Sequence, residues 1–101
     1  MSIIDERIQC LTQSQSPYVL EALNSPVKWW GWCSRAFEKA ISEDKLLLID
    51  IGAGWCHWCH VMDETTYKDP EVVQLINNYF IPIKVDRDER PDIDRRYQEA
   101  A

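Results

Sequence analysis

Cys56, His57, Trp58, Cys59 and His60 form a five-residue run in which two thiols are separated by two residues. Such a pair suits redox or metal chemistry better than a secreted disulfide framework. At a strand-to-helix junction the first sulfur lies beside free backbone N–H groups and the positive end of the helix dipole, which favour thiolate over thiol. Cys56 therefore reads as the nucleophile, and Cys59, one turn further on, as the buried resolving thiol. A mixed disulfide on Cys56 is then attacked by Cys59, which releases reduced substrate and leaves a Cys56–Cys59 disulfide. His57, when protonated, pushes Cys56 further toward thiolate. The second attack needs a base, and Asp50, six residues before Cys56, is placed to take the proton from Cys59. The alternative for Asp50 is a mid-strand carboxylate that faces solvent. Trp55 and Trp58 flank the sulfurs and offer an apolar surface to a substrate peptide, with contact the preferred reading for Trp58 and packing on the strand for Trp55.

The same residues admit other chemistry. Cys56, Cys59 and His60 can share one helix face and begin a zinc site, whose fourth ligand must come from elsewhere, such as Cys10 or Cys33. Cys56-His57-Trp58-Cys59-His60 is also a literal haem-attachment sequence, and iron–sulfur binding is an outlying form of the metal reading. His60 otherwise reads as a helix residue hydrogen-bonded nearby. Cys10 and Cys33 read as buried, inert thiols, with an extra redox role for Cys33 as the alternative. Trp29, Trp30 and Trp32, spaced for neither helix nor strand, read as core-covering rather than as a ligand cage.

Several elements must position this run. Leu46–Ile51 is a short apolar stretch bounded by a charged turn and by Gly52-Ala53-Gly54, the pattern of a buried parallel strand. Trp55 to about Thr65 follows as a helix starting at or near Cys56. Asp69-Pro70-Glu71 supplies an N-cap, a first-position proline and a first-turn carboxylate for a helix with the stripe Val72, Val73, Ile76, Tyr79 and Phe80. Ile81–Asp86 alternates as a strand, with Pro82 expected at its start or on an edge. Strand, helix, helix, strand is a crossover unit. Ser34–Glu43 has the period of an amphipathic helix that ends at Asp44-Lys45, and Asp92–Ala100 reads as a short helix capped by Asp92. Residues 1–33 read as an irregular Trp- and Pro-rich wrap with a helical candidate at Tyr18–Leu23, and residues 34–101 as the α/β domain. The run Lys84–Arg96 carries five basic and five acidic residues and reads as a solvated, salt-bridged surface.

Composition bounds the rest. A chain of 101 residues holds one domain at most, and 46% apolar with 28% charged residues fits an ordinary globular protein. Eleven Lys and Arg against seventeen Asp and Glu leave a net charge of -6, which argues against nucleic-acid binding. No apolar stretch approaches the roughly 18 residues of a membrane span, and the polar start carries no export pattern. The expectation is a cytoplasmic protein with no membrane partner.

Leu47-Leu48-Ile49-Asp50-Ile51 followed by Trp55-Cys56-His57-Trp58-Cys59 resembles the thioredoxin superfamily in its strand, buried Asp, Trp-Cys-x-x-Cys and helix. The segments Ser16–Leu20, Asn24–Trp29, Ala36–Ala40, Cys56–Met62 and Lys84–Asp94 make the chain similar to the thioredoxin-like N-terminal domain of the YyaL and spermatogenesis-associated protein family. It departs from that family's pattern at Asp50 and at Gly54-Trp55, where it is closer to ordinary thioredoxin. The resemblance implies a thioredoxin-like fold, a redox-capable Cys56/Cys59 pair needing no cofactor, and thiol or disulfide substrate proteins or a thiol reductase as partners. In the usual full-length relative it also implies a helical-barrel domain downstream. The cis-proline strand and closing helix of the fold would lie beyond Ala101, so a fold truncated before them is expected. An open sheet edge then predicts a marginal monomer or self-association.

Overall fold

A computed structural model describes residues 5–100. The order of elements is α1 (Glu6–Thr12), α2 (Pro17–Leu20), a 3₁₀ turn (Glu21–Asn24), α3 (Ser34–Ser42), β1 (Leu46–Gly52), α4 (His57–Glu64), a 3₁₀ turn (Thr66–Lys68), α5 (Pro70–Tyr79), β2 (Phe80–Asp86) and α6 (Pro91–Ala100). The fold is α/β, with β1 and β2 parallel and joined through α4 and α5. Leu46 stands opposite Phe80 at one end of the register and Gly52 opposite Asp86 at the other.

Local chemistry accounts for the boundaries. Asp69 accepts from the N–H groups of Glu71 and Val72, and Pro70 opens α5, as the sequence signals predict. α3 stops at a turn in which Asp44 takes a left-handed φ of 54°, a conformation its short polar side chain tolerates. In the N-terminal third the structure has more helix than the sequence signals suggest. Asp5 caps α1 by accepting from the N–H groups of Arg7 and Ile8, a cap too close to the start of the chain to stand out from its flanks.

β2 pairs with β1 along one side only. Its free side is bridged by Trp30, whose N–H donates to the Pro82 carbonyl at 2.8 Å and whose carbonyl accepts from Lys84 N–H at 2.8 Å. In this two-stranded sheet β2 is an edge strand, and Pro82 stands third in it, on an edge as the sequence reading allows. Its carbonyl opens the bridge to Trp30, and the N–H it lacks falls on the same side, where that bridge has not begun.

Alternation along β2 divides the interior in two. Ile81, Ile83 and Val85 join Cys10, Trp30, Ala36, Ala40 and Ile93 on one face. The opposite face looks onto an aromatic-rich cluster of Leu11, Tyr18, Val19, Val27, Trp29, Tyr67 and Ile76, among others. Trp29 and Trp30 are buried, as core-covering residues should be. Among the described residues, no helix is long and apolar enough to cross a membrane.

Candidate functional site

The site forms where β1 ends and α4 begins. Cys56 is the N-cap of α4, in extended conformation, and its Sγ accepts from Cys59 N–H at 3.3 Å. Both thiols are free and partly buried. The Cys56 thiol is held below its ordinary value, first by hydrogen bonding from Cys59, then by the positive charge of Arg87. Cys59 is pushed up, first by burial and then by Cys56, with Asp50 adding in the same sense. The two thiols are thus shifted in opposite directions, the outer one toward thiolate and the inner one toward thiol.

Close enough for its Asp50 charge to act on Cys59 lies a charge cluster around the buried Lys84. Asp50 of β1 and Lys84 of β2 are register partners, and Lys84 Nζ donates to Asp50 Oδ2 at 2.9 Å and to Asp63 Oδ1 at 2.5 Å. Asp63 comes from α4, one turn beyond Cys59. The ammonium is also 4.4 Å from the ring of Trp29, 5.0 Å from that of Tyr18 and 5.1 Å from that of Tyr67. Lys84 is 2% exposed, so the reading of Lys84–Arg96 as a solvated run fails at its first residue. The physical reason is the strand: β2 is covered on both faces, and a lysine within it is tolerated only with carboxylates to pair with. The side chain of Asp50 is 19% exposed and lies against Lys84, not in open solvent. A cleft of about 340 Å³, lined by Glu21, Trp29, Lys68 and others, reaches Asp63 and Lys84 from outside.

The remaining expected residues are placed as follows. His57 is exposed, its ring in edge contact with Trp58 at 5.7 Å. His60 lies with Nε2 2.6 Å from the Gly54 carbonyl, hydrogen-bonded to the loop before the helix. Trp58 is 74% exposed, and Trp55, expected to pack on the strand, is 64% exposed instead. The Trp55 indole N–H donates to Asp88 at 2.5 Å and its ring lies under the Arg87 guanidinium at 5.3 Å, so surface polar contacts hold it out of the core. Cys10 and Cys33 are not free thiols: they form a disulfide tying α1 to the start of α3, which removes both from any ligand set. Among the described residues, no group of three or more His, Cys, Asp and Glu side chains is arranged to hold a metal ion.

Sequence reasoning missed Lys84, Asp63 and Arg87. Two signals were available. Lys84 interrupts a strand otherwise apolar at Ile81, Ile83 and Val85, and Asp63 follows Cys59 by four residues, on the same face of α4.

Two parallel strands with a crossover between them, and a Cys-x-x-Cys pair opening the helix after the first, define a partial thioredoxin-like α/β fold. Residues 8–101 match the family model Thioredox_DsbH, described as "Protein of unknown function, DUF255", and the chain belongs to that family. It is similar to spermatogenesis-associated protein 20 of Homo sapiens, 41% identical over 87 residues, and to that of Mus musculus, 42% identical over the same length. Each alignment covers 86% of this chain and 11% of the relative. A shorter match, 40% identical over 42 residues, joins 42% of the chain to 7% of the thiol:disulfide interchange protein DsbD of Campylobacter jejuni (strain RM1221). The family and the DsbD likeness connect the chain to redox proteins.

Proposed function

We propose that the chain is a thiol–disulfide oxidoreductase in which Cys56 attacks a substrate disulfide and Cys59 resolves the mixed disulfide. The observation that carries this reading is the asymmetry of the pair: Cys56, at the N-cap of α4, is held toward thiolate while burial keeps Cys59 protonated. Asp50 takes the Cys59 proton as the second attack begins; its charge is felt at Cys59, and its ion pair with Lys84 supports the role by fixing the carboxylate. His57, exposed next to Cys56, adds positive charge when protonated, and Trp55 and Trp58 present rings to the polypeptide around the substrate disulfide. Partners are thiol or disulfide proteins and a reductase that recycles the pair, with no cofactor beyond the disulfide itself. The unpaired side of β1 also supports self-association. On compartment, the Cys10–Cys33 disulfide favours an oxidising setting over the cytoplasm.

The test is thiol alkylation read by mass spectrometry across glutathione ratios and pH, with Cys56→Ser as control. A discrete two-electron transition at Cys56–Cys59, with Cys56 ionising below ordinary thiols, is expected. If both thiols alkylate as ordinary cysteines, or are blocked by stoichiometric zinc, the enzyme reading fails and a non-catalytic interaction or zinc-binding module takes its place.

A further inference from the structure

Tyr18 carries a group that its place in the core does not explain. The residue is 3% exposed among apolar and aromatic neighbours, yet its hydroxyl has no hydrogen-bond partner among the described residues. A buried hydroxyl left unpartnered is costly, and phenylalanine would fill the same space without that cost.

The surrounding elements fix where the tyrosine stands. Ser16 caps α2, accepting from Val19 N–H at 3.3 Å, and donates to Asp86 Oδ2 at 2.5 Å, which ties the start of α2 to the end of β2. Across the register from Asp86 is Gly52. A methyl group built on Gly52 would collide with the Tyr18 hydroxyl oxygen and stand 2.8 Å from Cys59 Sγ. The phenol oxygen and the inner sulfur thus share the space that a side chain at position 52 would fill. Burial, followed by the charges of Asp50, Asp63 and Cys59, drives the phenol far above its ordinary value, so it remains an O–H donor.

We propose that the Tyr18 hydroxyl is the hydrogen-bond donor to the Cys59 thiolate when Cys59 acts as the resolving nucleophile, an inference that rests on the dithiol–disulfide reading above. In the mixed disulfide, Cys56 Sγ is bonded to the substrate sulfur and Cys59 is a thiol. Its proton passes to Asp50, and the thiolate attacks Cys56 Sγ. A Cys56–Cys59 bond forms as the bond from Cys56 to the substrate sulfur breaks. The electron pair of the broken bond leaves on the substrate thiolate, which is protonated from solvent. Cys56 and Cys59 together lose two electrons and the substrate disulfide gains them. A donor idle while Cys59 is a thiol and engaged once it is a thiolate favours the charged nucleophile at the moment it is needed.

Tyr18→Phe removes the hydroxyl and little else. In a Cys56→Ser background, Cys59 is titrated by iodoacetamide alkylation across pH with and without Tyr18→Phe. The hydroxyl's loss is expected to lower the thiolate fraction at a given pH by about tenfold. With Cys56 intact, the mixed disulfide formed on Cys56 by oxidised glutathione is expected to last about tenfold longer in Tyr18→Phe, while its formation keeps its rate. A merely structural tyrosine predicts otherwise: identical Cys59 titrations and mixed-disulfide lifetimes would overturn the proposal, whatever the urea midpoint does. If the wild-type chain performs no exchange yet its Cys59 titration depends on Tyr18, the redox reading fails and the hydrogen bond stands.

Discussion

Asp50 and Lys84 face one another across the parallel register of β1 and β2, and their side chains meet at 2.9 Å. The contact is one of two that Lys84 makes to carboxylates, the other being Asp63 of α4, so a single ammonium fastens β1, β2 and α4 together. Replacing both partners of a buried pair can be neutral, but removing one strands the other. Lys84→Met is therefore expected to lower stability by about 3 kcal/mol, with Asp50 and Asp63 left facing each other without a counter-charge. Urea unfolding at pH 7 measures it, and adding Asp63→Asn to Lys84→Met should restore part of the loss.

The split between the two thiols sets a pH dependence. Folding lowers the Cys56 value, so the thiolate's contribution to stability is present above the unfolded thiol range and is lost as pH falls through the folded value. Cys59 has the opposite sign, since burial favours its thiol and rising pH charges the unfolded chain first. In alkylation at pH 7, Cys56 is expected to react well before Cys59, with its half-maximal rate at a pH below that of a free thiol. Equal rates at the two sulfurs would contradict this.

Arg87 is the cation that acts on Cys56, and it lies on the Trp55 ring at 5.3 Å. Its side chain is partly solvated, so screening limits its effect. Arg87→Ala is expected to slow Cys56 alkylation at pH 7 by roughly threefold, and raising the salt concentration should narrow the gap between variant and wild type. Arg87→Lys should recover most of the rate if charge, rather than stacking, is what matters.

What the sequence made legible follows from how locally each feature is encoded. The Cys56 N-cap, the Asp69-Pro70 start of α5 and the apolar run of β1 all depend on neighbours within a few residues, and the structure has them close to where the pattern predicts. The Lys84 cluster was not legible because it joins β1, β2 and α4, whose distances in sequence are 34 residues from Asp50 and 21 from Asp63. A lysine beside acidic and basic residues has the same local pattern whether it is solvated or caged. The pairing of Cys10 with Cys33 was hidden for the same reason, since it depends on where α1 docks beside α3. Trp55 was misplaced because its environment is set by Arg87 and Asp88, which reach it only after β2 has paired with β1.

The Cys10–Cys33 disulfide closes a loop with a sequence separation of 23 and spans the segment that carries Tyr18 and Trp29. Cross-linking a loop of that order stabilises the folded state by about 3 kcal/mol, chiefly through the unfolded chain. Cys10→Ser with Cys33→Ser is expected to lose about that much in urea unfolding. Wild type under strong reductant should match the double variant, and a midpoint indifferent to reductant would show that the bridge does not form.

Gly52 gives the sharpest steric prediction, because the space beside it is taken by the Tyr18 hydroxyl and Cys59 Sγ. A methyl at this position would meet the Tyr18 hydroxyl oxygen and the ring carbon that bears it, the latter at 2.8 Å, along with Cys59 Sγ at 2.8 Å. Neither neighbour yields easily: Tyr18 is fixed through Ser16 and Asp86, and Cys59 by the first turn of α4. Overpacking of this kind typically costs about 1–3 kcal/mol, and Gly52→Ala is expected near the upper end because β1 must shift against β2 to relieve it. Tyr18→Phe added to Gly52→Ala should return only part of the loss, since the ring carbon remains while the hydroxyl is gone. A double-mutant cycle in urea therefore separates the hydroxyl's share of the clash from the ring's, and full additivity would mean that the two residues do not touch.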